Sequence, residues 1–353
     1  MERQSKDLNI KGLYLQEVQD FFASFELPKY RAEQVYAWMY QKQAWDWEEM
    51  TDLPKKLRSF FGDRQILVHS LKPKDQIVDE DGTIKYLFEL EDGNTIESVL
   101  IPESDRQTVC ISTQVGCGMN CSFCATGKHG LVRNLTSAEI VDQPLLMTRL
   151  CGRKINNIVV MGQGEPFINY DATLKAIKII NDPKGMGIGA RHITISTCGI
   201  IPGILKLARE PLQVNLAISL HAAGDELRKQ LMPVGGQYPL DQLMAAIRQY
   251  IELTGRRVTF EYTMIDGVND RPQDVQKLIQ ILSGTLCHVN LIPLNPIAKS
   301  GLRRSRPAQI RNFVTELTKA NIEVTIRKER GTNLAAACGQ LQGKDWSNNE
   351  LDR

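Results

Sequence analysis

An α/β fold is predicted by this 353-residue sequence: an incomplete barrel of parallel strands, preceded by a small helical module and a β-hairpin. Three observations carry the prediction. From Thr108 onward, short β-branched runs alternate with helical segments, a pattern that needs a parallel sheet with helical crossovers. Ahead of them the apolar spacing is helical. Between the two regimes the period changes around a turn sequence, EDGN.

In chain order, VQDFFASF and AEQVYAWMY carry apolar residues at helical spacing, and LPKK at 53–56 marks a further helix start. YLFEL, EDGN and TIESVLI then read as strand, turn and strand. The β runs that follow are TVCIST, NNIVVMG, HITISTC, VNLAISL, RVTFEYTMI, HVNLIPL and IEVTIRK. Helical stretches such as SAEIVDQPLLMTRL, YDATLKAIKII, LDQLMAAIRQYI and RPAQIRNFVTEL separate them. Six or seven such units suit a partial barrel of (β/α)6 type better than a flat doubly wound sheet. The expected divisions are 1–65 (helical, RNA-binding accessory module), 66–107 (linker with hairpin), 108–345 (partial barrel ending in a cysteine segment) and 346–353 (tail). In barrels the chemistry sits at the C-terminal ends of the strands, so each loop after a β run is a place to look.

Composition excludes several classes. The chain is 42% hydrophobic and 24% charged, ordinary for a globular protein, and no apolar run approaches the roughly 18 residues of a membrane helix. The start, MERQSKDLNI, lacks the apolar stretch of a signal peptide, so a cytoplasmic, monomeric protein without a membrane partner is expected. Eight cysteines in such a compartment point to metal ligands, catalysts or core residues before disulfides. Net charge is +2, so any nucleic-acid surface must be local. KSGLRRSRPAQIR at 299–311 holds five cations (Lys299, Arg303, Arg304, Arg306 and Arg311) and no acid. RKER at 327–330 and RAEQVYAWMYQK at 31–42 are further basic stretches. Each is a candidate phosphate-binding patch or simply a solvated face.

CGMNCSFC at 117–124 brings Cys117, Cys121 and Cys124 together just after TVCIST. A zinc site would want a fourth ligand, and His129 is near enough in sequence to serve. A [4Fe–4S] cluster held by three thiolates would instead leave one iron open to chelate the amino and carboxylate groups of S-adenosylmethionine. CxxxCxxC with an aromatic, Phe123, before the last cysteine resembles the radical-SAM signature. The other strand ends supply cofactor-binding candidates: Gly164 and Glu165 in GQGEP, Ser196 beside Thr197 in HITISTC, Ser219, Leu220 and His221 in VNLAISLHA, and Asn295 in LIPLNP. Singly each could be a local cap. Together they ring one cluster.

Nearly the whole chain resembles the RlmN/Cfr radical-SAM RNA methyltransferases, nearest the RlmN branch. The resemblance is carried by YRAEQVYAWMY, GTIKYLFELEDGNTIESVLIP, CISTQVGCGMNCSFCATGKHGLVRNL, GQGEPFINYD, ITISTCGIIPGI, ISLHAAGDELRKQLMPV, NLIPLNP and RGTNLAAACGQL. Two positions depart from the family pattern: Gln163, where Met is expected, and Cys198, where a small residue such as Ser is expected.

The resemblance implies a radical-SAM barrel with one [4Fe–4S] cluster on Cys117, Cys121 and Cys124. It also implies methylation of adenine C2 in 23S rRNA and tRNA, with two molecules of S-adenosylmethionine consumed per methyl group and an electron donor of the flavodoxin or ferredoxin type. It makes Cys338 the S-methylcysteine intermediate, Glu97 the proton acceptor at C2, and Cys110 the resolving thiol that ends in a transient disulfide with Cys338. Read from the residues alone, Cys110 and Cys338 could be inert packed thiols and Glu97 an ordinary strand carboxylate. Cys151, Cys198 and Cys287 match no motif and read as core or incidental thiols. A family alternative is methylation at adenine C8 with the same cysteines. An alternative of another class is a noncatalytic metal–sulfur RNA-binding protein.

Overall fold

In the computed structural model, which describes residues 8–295, 300–328, 330–331 and 336–342, the helical period at the start becomes three helices. These are α1 (Leu15–Ala23), α2 (Lys29–Tyr40) and α3 (Lys55–Asp63), the last beginning at the LPKK signal. Phe22 of α1 and Trp47 pack against Phe61 of α3, with ring centroids 5.1 and 4.8 Å away. The module is pinned to the rest by a buried ion pair, Lys11 Nζ to Asp142 Oδ1 at 3.5 Å. Lys11 also donates to the Met39 carbonyl (3.1 Å), while Asp142 accepts the Ser70 amide (2.7 Å). Stranding either buried charge costs about 3–5 kcal/mol, so the pair fixes the module's seat more than it adds net stability.

Next comes an antiparallel meander: β1 (Leu71–Val78), β2 (Ile84–Leu90), β3 (Thr95–Pro102) and β4 (Gln107–Cys110). The expected hairpin is β2–β3. It has further partners on both sides, since β3 pairs with β4 (Val99 opposite Cys110) and β1 pairs with β2. Sequence periodicity does not reveal β1. Its residues LKPKDQIV are almost all exposed, and Pro73 and Lys74 stand at a register shift, as suits a sheet edge. A short separate ribbon follows, β5 (Gln114–Gly116) with β6 (Leu131–Asn134).

The seven β-branched runs each form a strand. From β4 the sheet continues in parallel through β7 (Asn157–Val160), β8 (Ile193–Thr197), β9 (Asn215–Ser219), β10 (Val258–Met264), β11 (Cys287–Pro293) and β12 (Glu323–Ile326), in sequence order. The connections carry α4 (Ser137–Cys151), α5 (Tyr170–Asn181), α6 (Ile201–Leu207), α7 (Asp225–Leu231), α8 (Leu240–Thr254), α9 (Pro272–Leu282) and α10 (Pro307–Lys319). This sequential parallel order is that of a barrel wall, and among the described residues β1 and β12 remain its two edges. None of these helices is long and apolar enough to cross a membrane.

The first loop of the barrel is locked from behind by α4. Gln143 accepts the Ser112 amide (2.7 Å) and the Ser98 hydroxyl (2.8 Å), and donates to the Ser112 carbonyl (2.9 Å). Asn169 donates to the carbonyls of Thr113 (2.8 Å) and Leu135 (2.7 Å). Both polar side chains are buried, so these bonds hold rigidly the stretch that leads from β4 into the three-cysteine loop.

Candidate active site

The three-cysteine loop leaves β5 at Gly116. Its φ is +73°, and a Cβ there would lie 2.1 Å from the Gly130 carbonyl oxygen, so only glycine fits. The Cys117 amide donates to that same carbonyl (2.8 Å), and the Ser122 amide to Leu231 O (2.9 Å). Cys117, Cys121 and Cys124 line a cavity of about 160 Å³ at the C-terminal ends of the parallel strands. Burial raises the thiol pKa of Cys117 to about 11, and that of Cys121 higher still, with Cys124 and Cys117 adding to the latter.

No set of three His, Cys, Asp or Glu side chains among the described residues already stands as a metal cage. The donor chemistry nonetheless fits an iron–sulfur cluster: three thiols from one short loop share the wall of a single cavity. His129, the candidate fourth zinc ligand, is exposed at the end of a short 3-10 turn and lies in neither cavity wall.

The strand-end candidates converge on that cavity. Gly164, Glu165, Ser196, Ser219, His221 and Asn295 all line it. Leu220 does not: its side chain is in the core, and its amide donates to Glu261 O (3.1 Å). Glu165 is buried and oriented by the amides of Cys198 (2.7 Å) and Phe167 (3.0 Å). Desolvation raises its pKa against those bonds. His221 accepts the Thr263 amide at Nδ1 (3.0 Å), and burial, helped by Arg228, pushes its pKa down to about 3. It is therefore a neutral imidazole carrying its proton on Nε2, with its ring 4.6 Å edge-on from Phe123.

A second, wider cavity of about 380 Å³ adjoins the first, sharing Cys124, Met161, Asn295, Arg327 and Cys338 with it. Cys110 and Cys338, at opposite ends of the barrel sequence, both line it. The segment 336–342 makes this possible by packing as a strap across the sheet: Ala336 and Leu341 bury against Val99 and Cys110. The strap is tied to the cysteine loop by Ala125 N to Gly339 O (2.6 Å) and Thr126 Oγ1 to Leu341 O (2.6 Å). Asn295 Nδ2 donates to Cys338 O (3.1 Å). Burial, and then Cys338, push the Cys110 thiol up to about 12, with Arg327 opposing.

Glu97 lies two residues from Val99 on the same strand, and Val99 is the cross-strand partner of Cys110. Alternation puts all three side chains on one face of the sheet. The Glu97 carboxylate is buried behind the strap. It accepts the Gln342 amide (2.5 Å) and pairs with buried Lys85 (3.3 Å), and it is in neither cavity wall.

Three groups at the site escape sequence reading. Cys198, read as incidental, lines the smaller cavity, and its position just past β8 was the available signal. Glu261 interrupts the apolar run of β10 and also lines that cavity. Arg327, grouped by sequence with a phosphate-binding RKER patch, turns into both cavities, and Arg330 pairs with Asp81 at 3.8 Å.

Of the five cations at 299–311, Lys299 lies outside the described residues. Arg304 spends its Nε on Leu294 O (3.1 Å). Arg303, Arg306 and Arg311 are exposed, the first two only loosely paired with Asp266 (3.7 and 4.0 Å). Such pairs hold their charges weakly, leaving them available to phosphates. Changing Arg303, Arg306 and Arg311 together to Gln is expected to weaken RNA binding and to flatten the log Kd against log salt plot by about two to three units of slope. S-adenosylmethionine cleavage without RNA should persist. An unchanged slope assigns these cations to solvent.

Residues 8–64 match the family model described as the ribosomal RNA large subunit methyltransferase N-terminal domain, and residues 111–279 match the radical SAM superfamily. A probable dual-specificity RNA methyltransferase RlmN of Thermoanaerobacter sp. is 49% identical over 95% of this chain and 98% of its own length. Its counterpart in Symbiobacterium thermophilum is 48% identical over 95% of this chain and 91% of its own. A crystal structure of a radical SAM methyltransferase from Sphaerobacter thermophilus superposes with a TM-score of 0.93 at 46% identity, covering 96% of this chain and all of that one.

Proposed function

The chain belongs to the RlmN family of radical-SAM RNA methyltransferases, which use a [4Fe–4S] cluster and S-adenosylmethionine, and from that premise we propose that it methylates C2 of adenine in 23S rRNA and in tRNA. The observation that supports this best is the meeting of Cys110 and Cys338 in a cavity that opens onto the three-cysteine end of the barrel. Adenine C2 is an electron-poor amidine carbon that cannot attack a sulfonium methyl group, so a two-thiol radical route is the chemistry that such an arrangement serves.

In this reading Cys117, Cys121 and Cys124 hold the cluster, which when bound supplies the electron that splits S-adenosylmethionine into methionine and a 5′-deoxyadenosyl radical. Gly164, Glu165, Ser196, Ser219, His221, Asn295 and the backbone of Leu220 hold the S-adenosylmethionine. The Cys338 sulfur first accepts a methyl group by displacement. Loss of a hydrogen atom from that methyl group leaves a carbon radical on Cys338 that adds to C2 and tethers the RNA. Loss of the C2 proton to Glu97, and of one electron to the oxidised form of the electron carrier that began the cycle, restores the aromatic ring. The Cys110 thiolate then attacks the Cys338 sulfur. The bond to the tethered carbon breaks with its electron pair on that carbon, which takes up a proton to become the methyl group, and a Cys110–Cys338 disulfide remains for reduction. Because Glu97 sits behind the strap, its part requires residues 336–342 to shift when RNA is bound.

The test is nuclease digestion and mass spectrometry of 23S rRNA and tRNA from cells with and without the protein. 2-Methyladenosine lost from both RNAs on deletion is the expected result. 8-Methyladenosine as the product, or no change at C2, overturns it.

A further inference from the structure

Arg327 is the one cation lining both cavities, among the described residues, and it shares the wider one with both Cys110 and Cys338. It leaves the end of β12 half-buried, its backbone held by Arg327 N to Leu291 O (2.9 Å). Its guanidinium shares both cavity walls with Cys338, and its Nη1 also reaches Met161 Sδ (3.9 Å). Behind it lies Glu261, a buried carboxylate 3.9 Å from Nη1 and itself held by Asn290 Nδ2 (2.8 Å). An acid in the middle of an apolar strand is costly without a counter-charge, and Arg327 is the one provided.

Resting on the reading of Cys338 as methyl carrier, we propose that Arg327, aimed by Glu261, is the counter-charge of both reacting sulfurs in turn. Before methyl transfer it pairs with the Cys338 thiolate. That thiolate forms the new S–CH3 bond as the sulfonium C–S bond breaks, the electron pair returning to sulfur and leaving S-adenosylhomocysteine. Cys338 is then a neutral thioether, and the guanidinium is released to the other sulfur in its field, Cys110. There it favours the thiolate that must later attack Cys338. One fixed charge thus activates first one thiol and then the other, in the order the chemistry needs.

Other charged groups near Cys338 do not supply this. Cys110 and Cys124 are themselves thiols that gain negative charge. Glu103 and Arg106 stand together at the β3–β4 turn, paired at 2.6 Å. Lys328 is exposed at the rim, and Arg330 is turned to Asp81.

The test is alkylation by iodoacetamide across a pH series, with the full-length, anaerobically reconstituted protein and peptide mass spectrometry of the unmethylated Cys338 and the Cys110 peptides. Arg327→Ala is expected to slow Cys338 alkylation near neutral pH by about tenfold and to move its pH midpoint up by about one unit. Glu261→Gln should move it less, and Arg327→Lys should restore most of it, a pattern that lost packing alone would not produce. Iron content is the folding control. If Arg327→Ala does not hold its iron, the Lys and Gln variants carry the comparison. An unmoved midpoint in the variants that keep iron overturns the assignment, whatever happens to turnover. Absence of methylated Cys338 in the wild-type protein would defeat the carrier reading instead, while the midpoint still decides whether Arg327 activates the thiol.

Discussion

Replacing Cys110 by Ala is expected to leave the protein covalently attached to RNA through Cys338. The cavity keeps Cys338, the cysteine loop and Arg327, so methyl loading and radical addition proceed, but the sulfur that would break the tether is gone. Loss of a single buried sulfur atom costs about 1 kcal/mol of stability, too little to unfold the barrel. Turnover should therefore stop after one event per chain, with a shifted band under denaturing, reducing electrophoresis that maps by peptide mass spectrometry to residue 338. Cys338→Ala should form neither adduct nor product, a loss of about 10⁴-fold or more. Glu97→Ala should stall with the C2 proton still in place. Wild-type turnover in Cys110→Ala, or an adduct on any other residue, removes the assigned roles.

Ala in place of Cys117, Cys121 or Cys124 is expected to abolish both iron retention and reductive cleavage of S-adenosylmethionine. The argument is from ligand number: a cluster held by three protein thiolates has none to spare, and the other two thiols on that cavity are Cys198 and Cys338. Neither belongs to the cysteine loop: Cys198 follows β8 with its amide tied to Glu165 (2.7 Å), and Cys338 sits on the strap. Metal analysis and visible absorption of the three variants check this. Full iron retention in any one of them removes that residue from the ligand set. Because thiols must lose their protons to bind iron, and burial opposes this at Cys117 and Cys121, loading should fall as pH is lowered.

Much of the barrel was legible because its signal is local. Each parallel strand is a β-branched run flanked by a loop and an amphipathic helix, and the smaller cavity is lined from the ends of those runs. β1 was not legible because an exposed edge strand needs no apolar alternation, and LKPKDQIV has none. Arg327 and Glu261 were missed for the opposite reason. Local charge patterning assigns Arg327 to a solvated basic patch, and only the distant β10 carboxylate explains why it turns inward. Glu97 was singled out by resemblance alone, and its burial depends on a strap from the far end of the chain, which no local pattern encodes.

The strap has a consequence for anyone who would move this chemistry to another protein. The radical-generating loop does not end at Thr126. The Ala125 amide and Thr126 hydroxyl find their acceptors on Gly339 and Leu341. A graft of residues 117–126 alone would carry a loop with two hydrogen-bond donors left unanswered, each costing about 1–3 kcal/mol if kept from water. The smallest transferable part is discontinuous, made of loop and strap together. A homologue that changes one of these two pieces must change the other or rebuild the seam between them.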